Sequence, residues 1–298
     1  MQSIDFTQCP KILGRTYNGA NGKKISIRYK GSAYMLKFPP SGSDKPTMLS
    51  YTNSCFSEHI GSSIFNLVGI KAQETLLGTY TVDGKEKIVC ACKDFTENNL
   101  RFFDFCSLKN TILDSDTNGS GTELDDILDT IVKQEYISSV ELKKFFWDMF
   151  IVDALLGNFD RHNGNWGFLF SDETQSAIIA PVFDCGSCLL PQADQKVMQE
   201  VLTDENALNA RVFQFPTSSI KKNDKKINYY DFLTSCDYKG CTDALLRVFP
   251  KIELPKIFDF IDTIPYITEL QKTFYKKYLE ARYTLILKAA YEMLSTNK

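Results

Sequence analysis

Between Leu155 and Phe168 the chain reads LLGNFDRHNGNWGF, a loop holding an Asp, an Arg, three Asn and one of only two histidines. It lies between two stretches that both read as core. Ahead of it, Ser138 and Glu141 have the spacing of a capping box, Leu142, Phe145, Phe146, Met149 and Leu155 recur at helical spacing, and Gly157 supplies a stop. Behind it, NWGFLF and AIIAPVFD are apolar runs joined by the turn-like SDETQS, the pattern of an antiparallel hairpin. A loop this polar, held at both ends by buried elements, is placed by the core rather than by solvent.

The hairpin brings together Asn165 at its start and Asp184 at its end, because paired strands lie about 5 Å apart. Two oxygen donors on one rigid edge suit a hard cation such as magnesium, which takes one or two protein oxygens together with substrate phosphates. Asp160 stands on the loop facing that edge, where a carboxylate can orient an attacking hydroxyl and accept its proton while Asn165 and Asp184 hold the ions. Asp and Asn in loops more often form turns or caps, so this set carries weight only together with others. His162 reads as a buried strut bonded to the loop.

The rest of the chain limits the classes of protein this can be. At 298 residues, with 43% hydrophobic and 24% charged side chains, it has the composition of a globular chain long enough for one large domain or two lobes. A net charge of -3 gives no general attraction to nucleic acid or anionic lipid. The opening MQSIDFTQCPKIL lacks the apolar core of a signal peptide, and the most apolar stretch, FFWDMFIVDALLG, is broken by Asp148 and Asp153, so no membrane insertion is expected. Nine cysteines in runs such as IVCAC read as reduced, buried thiols. Cys185 and Cys188 form a lone CxxC, weak evidence for a metal. The basic KKNDKK at 221–226 is interrupted by acid and reads as a solvated loop, not as a membrane-binding cluster.

The first 95 residues have the texture of strands. KISIRY and AYMLKF turn about Lys30-Gly31-Ser32, and ETLLGTYTVDG and EKIVCACKDF turn about Asp83-Gly84. A helix is predicted from about Ser54 to Leu67, with Phe56, Ile60, Ile64 and Leu67 on one stripe and Gly69 past its end. Before the first strand stands NGANGKK. Gly19, Ala20, Asn21, Gly22 and Lys23 make a turn whose backbone N–H groups and lysine charge suit phosphate oxygens, although an Asn-Gly repeat is more often a plain hairpin turn. Lys37 lies inside an apolar strand and needs a partner there. Glu58 on the following helix is the natural one, holding the ammonium towards the α- and β-phosphates of a nucleotide. After Thr96 the texture turns helical, apart from the loop DSDTNGSG at 114–121, which is the expected site of disorder.

Gly-rich turn, strand lysine, helix glutamate, then Asp, Asn and Asp in this order form the constellation of a protein-kinase-like core. With DRHNGN and FDCGS as its motifs, the chain resembles the HipA-like serine/threonine kinases of bacteria and, more distantly, phosphatidylinositol 3- and 4-kinases. The resemblance implies an α+β, two-lobed fold: a strand-rich N-terminal lobe over 1–95 and a mainly helical C-terminal lobe over 96–298. It implies ATP and Mg2+ as cofactors, Lys37 on the phosphates with Glu58 as its partner, Asp160 as catalytic base, and Asn165 and Asp184 as magnesium ligands. It also makes Lys93, Asp94 and Phe95 a hinge offering backbone groups to adenine. The implied reaction is transfer of the γ-phosphate to a serine or threonine of a protein substrate, with autophosphorylation at Thr16 or a nearby serine. A lipid kinase and a non-catalytic nucleotide-binding module are the alternatives. Likeness within the group to a cell-translocating member leaves export to host cells open beside a bacterial cytoplasmic life, with host-cell proteins then among the partners. Cys185 replaces the aromatic residue usual after the metal-binding Asp, which speaks against an aromatic-driven in/out switch.

Overall fold

The computed structural model describes residues 4–15, 23–40, 52–96, 99–113 and 118–296. In it Lys30 and Gly31 take φ of 47° and 85°, and Asp83 and Gly84 take 50° and 73°. Two successive left-handed residues give a two-residue turn the twist its flanking strands need. These turns join β1 (Lys24–Tyr29) to β2 (Ser32–Lys37), and, after helix α1 (Ser54–Leu67), β3 (Thr75–Val82) to β4 (Lys85–Lys93). The four strands make one antiparallel sheet in the order β1-β2-β4-β3.

Each face of this sheet has its own apolar cluster. One face carries Phe6, Ile27, Tyr34, Leu36, Phe38, Tyr80, Val89 and Ala91, closed by the N-terminal segment that exchanges backbone hydrogen bonds with Thr79. Gly78 permits that approach, since a Cβ there would stand 2.4 Å from the Ile4 carbonyl oxygen. Against the other face lies α1, burying Phe56, Ile60, Ile64 and Phe65. Leu67, expected on this stripe, is 44% exposed because the helix ends there and turns away at Gly69.

Beyond β4 the chain forms β5 (Leu100–Asp104), α2 (Phe105–Ile112), α3 (Leu124–Lys133), α4 (Ser139–Leu156), β6 (Gly167–Ser171) and β7 (Ser176–Ile179). There follow α5 (Gln195–Thr203), α6 (Glu205–Asn209), the short β8 (Lys221–Lys222) and β9 (Lys225–Lys226), α7 (Tyr229–Ser235), α8 (Lys239–Val248), α9 (Leu254–Asp262), α10 (Glu269–Arg282) and α11 (Ala289–Thr296). α10 and α11 are joined through a π-helical stretch over Tyr283–Lys288. The hairpin after the polar loop is β6–β7, and it gains a third strand, β5, from residues read as helical in texture.

α4 is the axis of this part. Every residue from Phe146 to Leu156 is buried, Asp148 and Asp153 included, so the helix is enclosed on all sides and not along a stripe. Gly157 ends it in the left-handed conformation with φ of 63°, against Tyr278 and Pro216, which a Cβ would strike. Ser138 precedes the helix but makes no side-chain cap hydrogen bond; it and Glu141 are exposed, and solvent can satisfy the first turn without the expected box. β4 ends beside residue 95, yet the larger apolar cluster crosses that point, joining Ile60, Cys90 and Cys92 to Phe150, Cys185 and Ile261. Residues 71–73 seal the crossing: Val182 N donates to Lys71 O and Gln73 N to Val182 O.

Candidate active site

Lys37 sits at the end of β2, opposite Cys90 on one side and Lys24 on the other. Its ammonium is 2.8 Å from Glu58 Oε2 and 2.8 Å from Asp184 Oδ1, so one side chain ties together the sheet, α1 and the segment after β7. Burial alone would lower the lysine pKa, but the carboxylates of Asp184 and Glu58 hold it well above the ordinary value. Burial likewise works against the Asp184 anion, and Lys37 more than reverses this, taking the carboxyl down to about 2. Glu58 is wholly buried, and among the described residues its Oε1 has no hydrogen-bond partner. Asp184 has φ of 57° and a side chain 43% exposed, which leaves its carboxylate open to an ion from solvent. Gly186 lets the FDCGS segment close over α1: a Cβ there would be 3.2 Å from Glu58 Oε2.

The polar loop is built around Arg161. Its Nε donates to Asp153 Oδ2 at 2.9 Å and its Nη1 to the Asn165 carbonyl at 2.9 Å, while Nη1 also reaches the Phe183 carbonyl. The guanidinium thereby clamps the two ends of the β6–β7 ribbon, next to Asn165 and Asp184. Arg161 and Asp153 are each 2% exposed, a buried ion pair that Asn158 Nδ2 completes with a 2.8 Å bond to Asp153 Oδ1. Sequence reasoning missed this residue; the signal was Asp153, a carboxylate inside an apolar helix that had to find a cation. His162, expected as the buried strut, is exposed and accepts from Gly164 N through Nδ1. Arg161 has the buried place, because only a guanidinium serves both the Asp153 carboxylate and two carbonyls.

Asp160 is half-buried, with its main chain fixed: Asn158 Oδ1 accepts from Asp160 N, and Asp160 O accepts from Asn165 Nδ2 at 2.8 Å. Since the Asn165 amide nitrogen is used on the loop, the group left to meet a cation is its oxygen. Burial pushes the Asp160 carboxyl up, and Asp184 adds to this against the opposing charges of His162, Arg161 and Lys226. Residues 119–121 are anchored here, since Asn163 Nδ2 donates to Gly119 O and Gly121 O; 114–117, the rest of the stretch expected to be disordered, lie outside the described residues.

Of the expected phosphate loop, Gly19, Ala20, Asn21 and Gly22 lie outside the described residues, as does Thr16; Lys23 stands just before β1, with its ammonium 5.8 Å from the Phe38 ring centre. At 93–95, Lys93 N donates to Glu74 O, Lys93 O accepts from Gln73 Nε2, and Asp94 N donates to Ala33 O. Lys93 and Asp94 thus spend these backbone groups on contacts within the protein. Phe95 packs with Phe102 and Phe183 at centroid distances of 5.6 Å, and those two rings meet at 5.2 Å, an aromatic floor leading to Asp184. Cys185 and Cys188 are buried free thiols facing Gly61 of α1, where a Cβ would stand 2.7 Å from Cys185 Cβ. Among the described residues no group of three or more His, Cys, Asp or Glu is placed to hold a metal, and no helix is long and apolar enough to cross a membrane.

The fold has known counterparts. The family model for the HipA-like C-terminal domain matches residues 15–236. The curated serine/threonine-protein kinase CtkA of Helicobacter pylori (strain J99) is 51% identical over 292 residues, spanning 98% of this chain and 88% of its own length. The crystal structure of a Helicobacter pylori proinflammatory kinase CtkA superposes with a TM-score of 0.93 at 49% identity, covering 100% of this chain and 99% of that one. HipA of the Shewanella oneidensis MR-1 toxin–antitoxin system, solved with HipB and operator DNA, shares the fold at 15% identity and a TM-score of 0.57, with 98% and 75% of the two chains covered.

Proposed function

The chain belongs to the HipA-like family, and on that premise we propose that it is a serine/threonine protein kinase that uses ATP and magnesium. The observation that carries the reading is Lys37, held 2.8 Å from both Glu58 and Asp184, because it puts a phosphate-binding cation against a carboxylate suited to magnesium. The donor set fits the metal: the Asp184 carboxylate and the Asn165 amide oxygen are hard oxygens, and magnesium needs few protein ligands when phosphates supply the others. Bound there, the ion neutralises phosphate charge.

The roles of the side chains follow from their surroundings. Glu58 orients Lys37, whose ammonium faces the α- and β-phosphates, while residues 19–23 cover them and the Phe95 end of the hinge meets the base. Asp160 takes the proton of the incoming serine or threonine hydroxyl; its raised pKa makes it a better acceptor than an ordinary aspartate. Arg161 holds the ends that carry Asn165 and Asp184. Self-labelling at Thr16 or a nearby serine belongs to the same proposal.

The test is incubation with γ-labelled ATP and magnesium, offering in parallel a generic basic protein and phosphoinositide vesicles. Label on protein serine or threonine, lowered about 100-fold or more in Asp160→Ala with nucleotide binding retained, is the expected result. Label confined to lipid, or no transfer at all, overturns the reading.

A further inference from the structure

The basic run KKNDKK is not a detached loop. β8 and β9 form a hairpin whose base is joined to the loop of Asp160 from two sides. On one side Lys221 N donates to Thr122 O, and the neighbouring Gly121 O accepts from Asn163 in the polar loop. On the other, β9 runs through Ile227 into Tyr229, whose hydroxyl donates to the Asn158 carbonyl at 2.5 Å, two residues before Asp160. The tip is fixed as well, since Asp224 N donates to Glu123. Lys226 is near enough for its charge to act on the Asp160 carboxyl.

The four lysines are not equivalent. Lys222 is half-buried, 3.5 Å from Asp237 and over the Tyr238 ring. Lys225 and Lys226 are exposed, and among the described residues neither makes an ion pair. The hairpin therefore holds two exposed cations, Lys226 within electrostatic reach of the carboxyl of the residue read as the base and Lys225 next to it on the same strand. We propose that the β8–β9 hairpin selects protein substrates with acidic residues near the phosphorylated hydroxyl, whose carboxylates pair with Lys225 and Lys226. The proposal rests on the kinase reading and adds a substrate class to it. An anionic membrane fits less well, because surface attachment needs about four to eight accessible basic residues and two are on offer.

Serine peptides that differ only in Asp or Asn within about four positions of the hydroxyl, a span of roughly 13 Å in extended chain, provide the test. The wild type is expected to favour the acidic peptide in kcat/KM, with the preference shrinking as salt rises. In Lys225→Ala/Lys226→Ala the acidic-to-neutral ratio should fall about tenfold, the worth of two exposed ion pairs. Lys225→Glu/Lys226→Glu should reverse the preference towards lysine-flanked peptides, and Lys256→Glu on α9, which shifts net charge as much as the alanine pair does, is that pair's control for net charge. Indifference of the wild type to flanking charge, or equal ratios in the variants and the control, overturns the proposal, as does binding to phosphatidylserine vesicles without peptide discrimination. Absence of transfer to any peptide counts against the kinase reading alone; anisotropy titration of the labelled acidic peptide onto wild type and variants then decides for or against the hairpin.

Discussion

Removing the Asp153 carboxylate should separate folding from activity in this chain. Asp153 accepts from Arg161 Nε at 2.9 Å, from Arg161 Nη2 at 3.3 Å and from Asn158 Nδ2 at 2.8 Å, at a site closed to water. Asp153→Ala leaves the guanidinium buried with carbonyls and a thiol as its remaining partners, and breaking a buried pair in this way costs about 3–5 kcal/mol. At about 2–4 °C per kcal/mol for a chain of this order of size, the melting temperature should fall by about 6–20 °C. The paired variant Asp153→Leu/Arg161→Met removes both charges and should recover most of that loss, since apolar replacements of a buried pair are often neutral. It also removes the bonds to the Asn165 and Phe183 carbonyls, so phosphoryl transfer should stay depressed by about 100-fold, the scale of an ångström-sized misplacement of reacting groups. Thermal denaturation read beside the transfer assay checks both halves. A melting temperature for Asp153→Ala within about 2 °C of wild type refutes the burial argument, and a paired variant that regains activity with stability refutes the clamp.

What the sequence makes legible here is local. Asp83-Gly84 and Lys30-Gly31 specify their turns through backbone conformation alone, and α1 spans the predicted residues because its apolar spacing and the glycine at 69 agree. A lysine charge inside an apolar strand requires a carboxylate partner, and the Lys37 ammonium and Glu58 carboxylate meet at 2.8 Å. Non-local features were hidden. β5 becomes a strand only because β6 lies beside it, with Phe103 opposite Phe168, and nothing within residues 100–104 carries that information. The exchange of His162 for Arg161 as the buried strut has the same origin. A guanidinium in a polar loop reads as solvated until its partner, eight residues back in a helix, is known to face it. The bringing of Lys226 within electrostatic reach of Asp160 depends on contacts spanning 71 residues, such as Tyr229 with Asn158.

Four further outcomes follow from the site. Asp184→Asn should weaken magnesium-dependent nucleotide binding in calorimetric titration whereas Cys188→Ser should not, and equal effects would point to a metal at the cysteines instead. Because burial raises the Asp160 pKa, kcat/KM should decline as pH falls through a value above the ordinary 3.9 or so of an aspartate, the base being lost on protonation. By the same sign the ionised carboxylate weighs against the fold at neutral pH, so Asp160→Asn should raise the melting temperature at pH 7 and by less in acid; a gain that grows in acid would contradict this. The last outcome concerns Lys37, whose ammonium is shared by Glu58 and Asp184. If Glu58 acts only by orienting Lys37, groups that work as a unit should be strongly non-additive, and Lys37→Ala/Glu58→Ala should lose little more activity than Lys37→Ala alone. Glu58→Ala alone should be the mildest of the three, because Asp184 still holds the ammonium; single losses that multiply in the double variant would mean that Glu58 serves the reaction by a route other than Lys37.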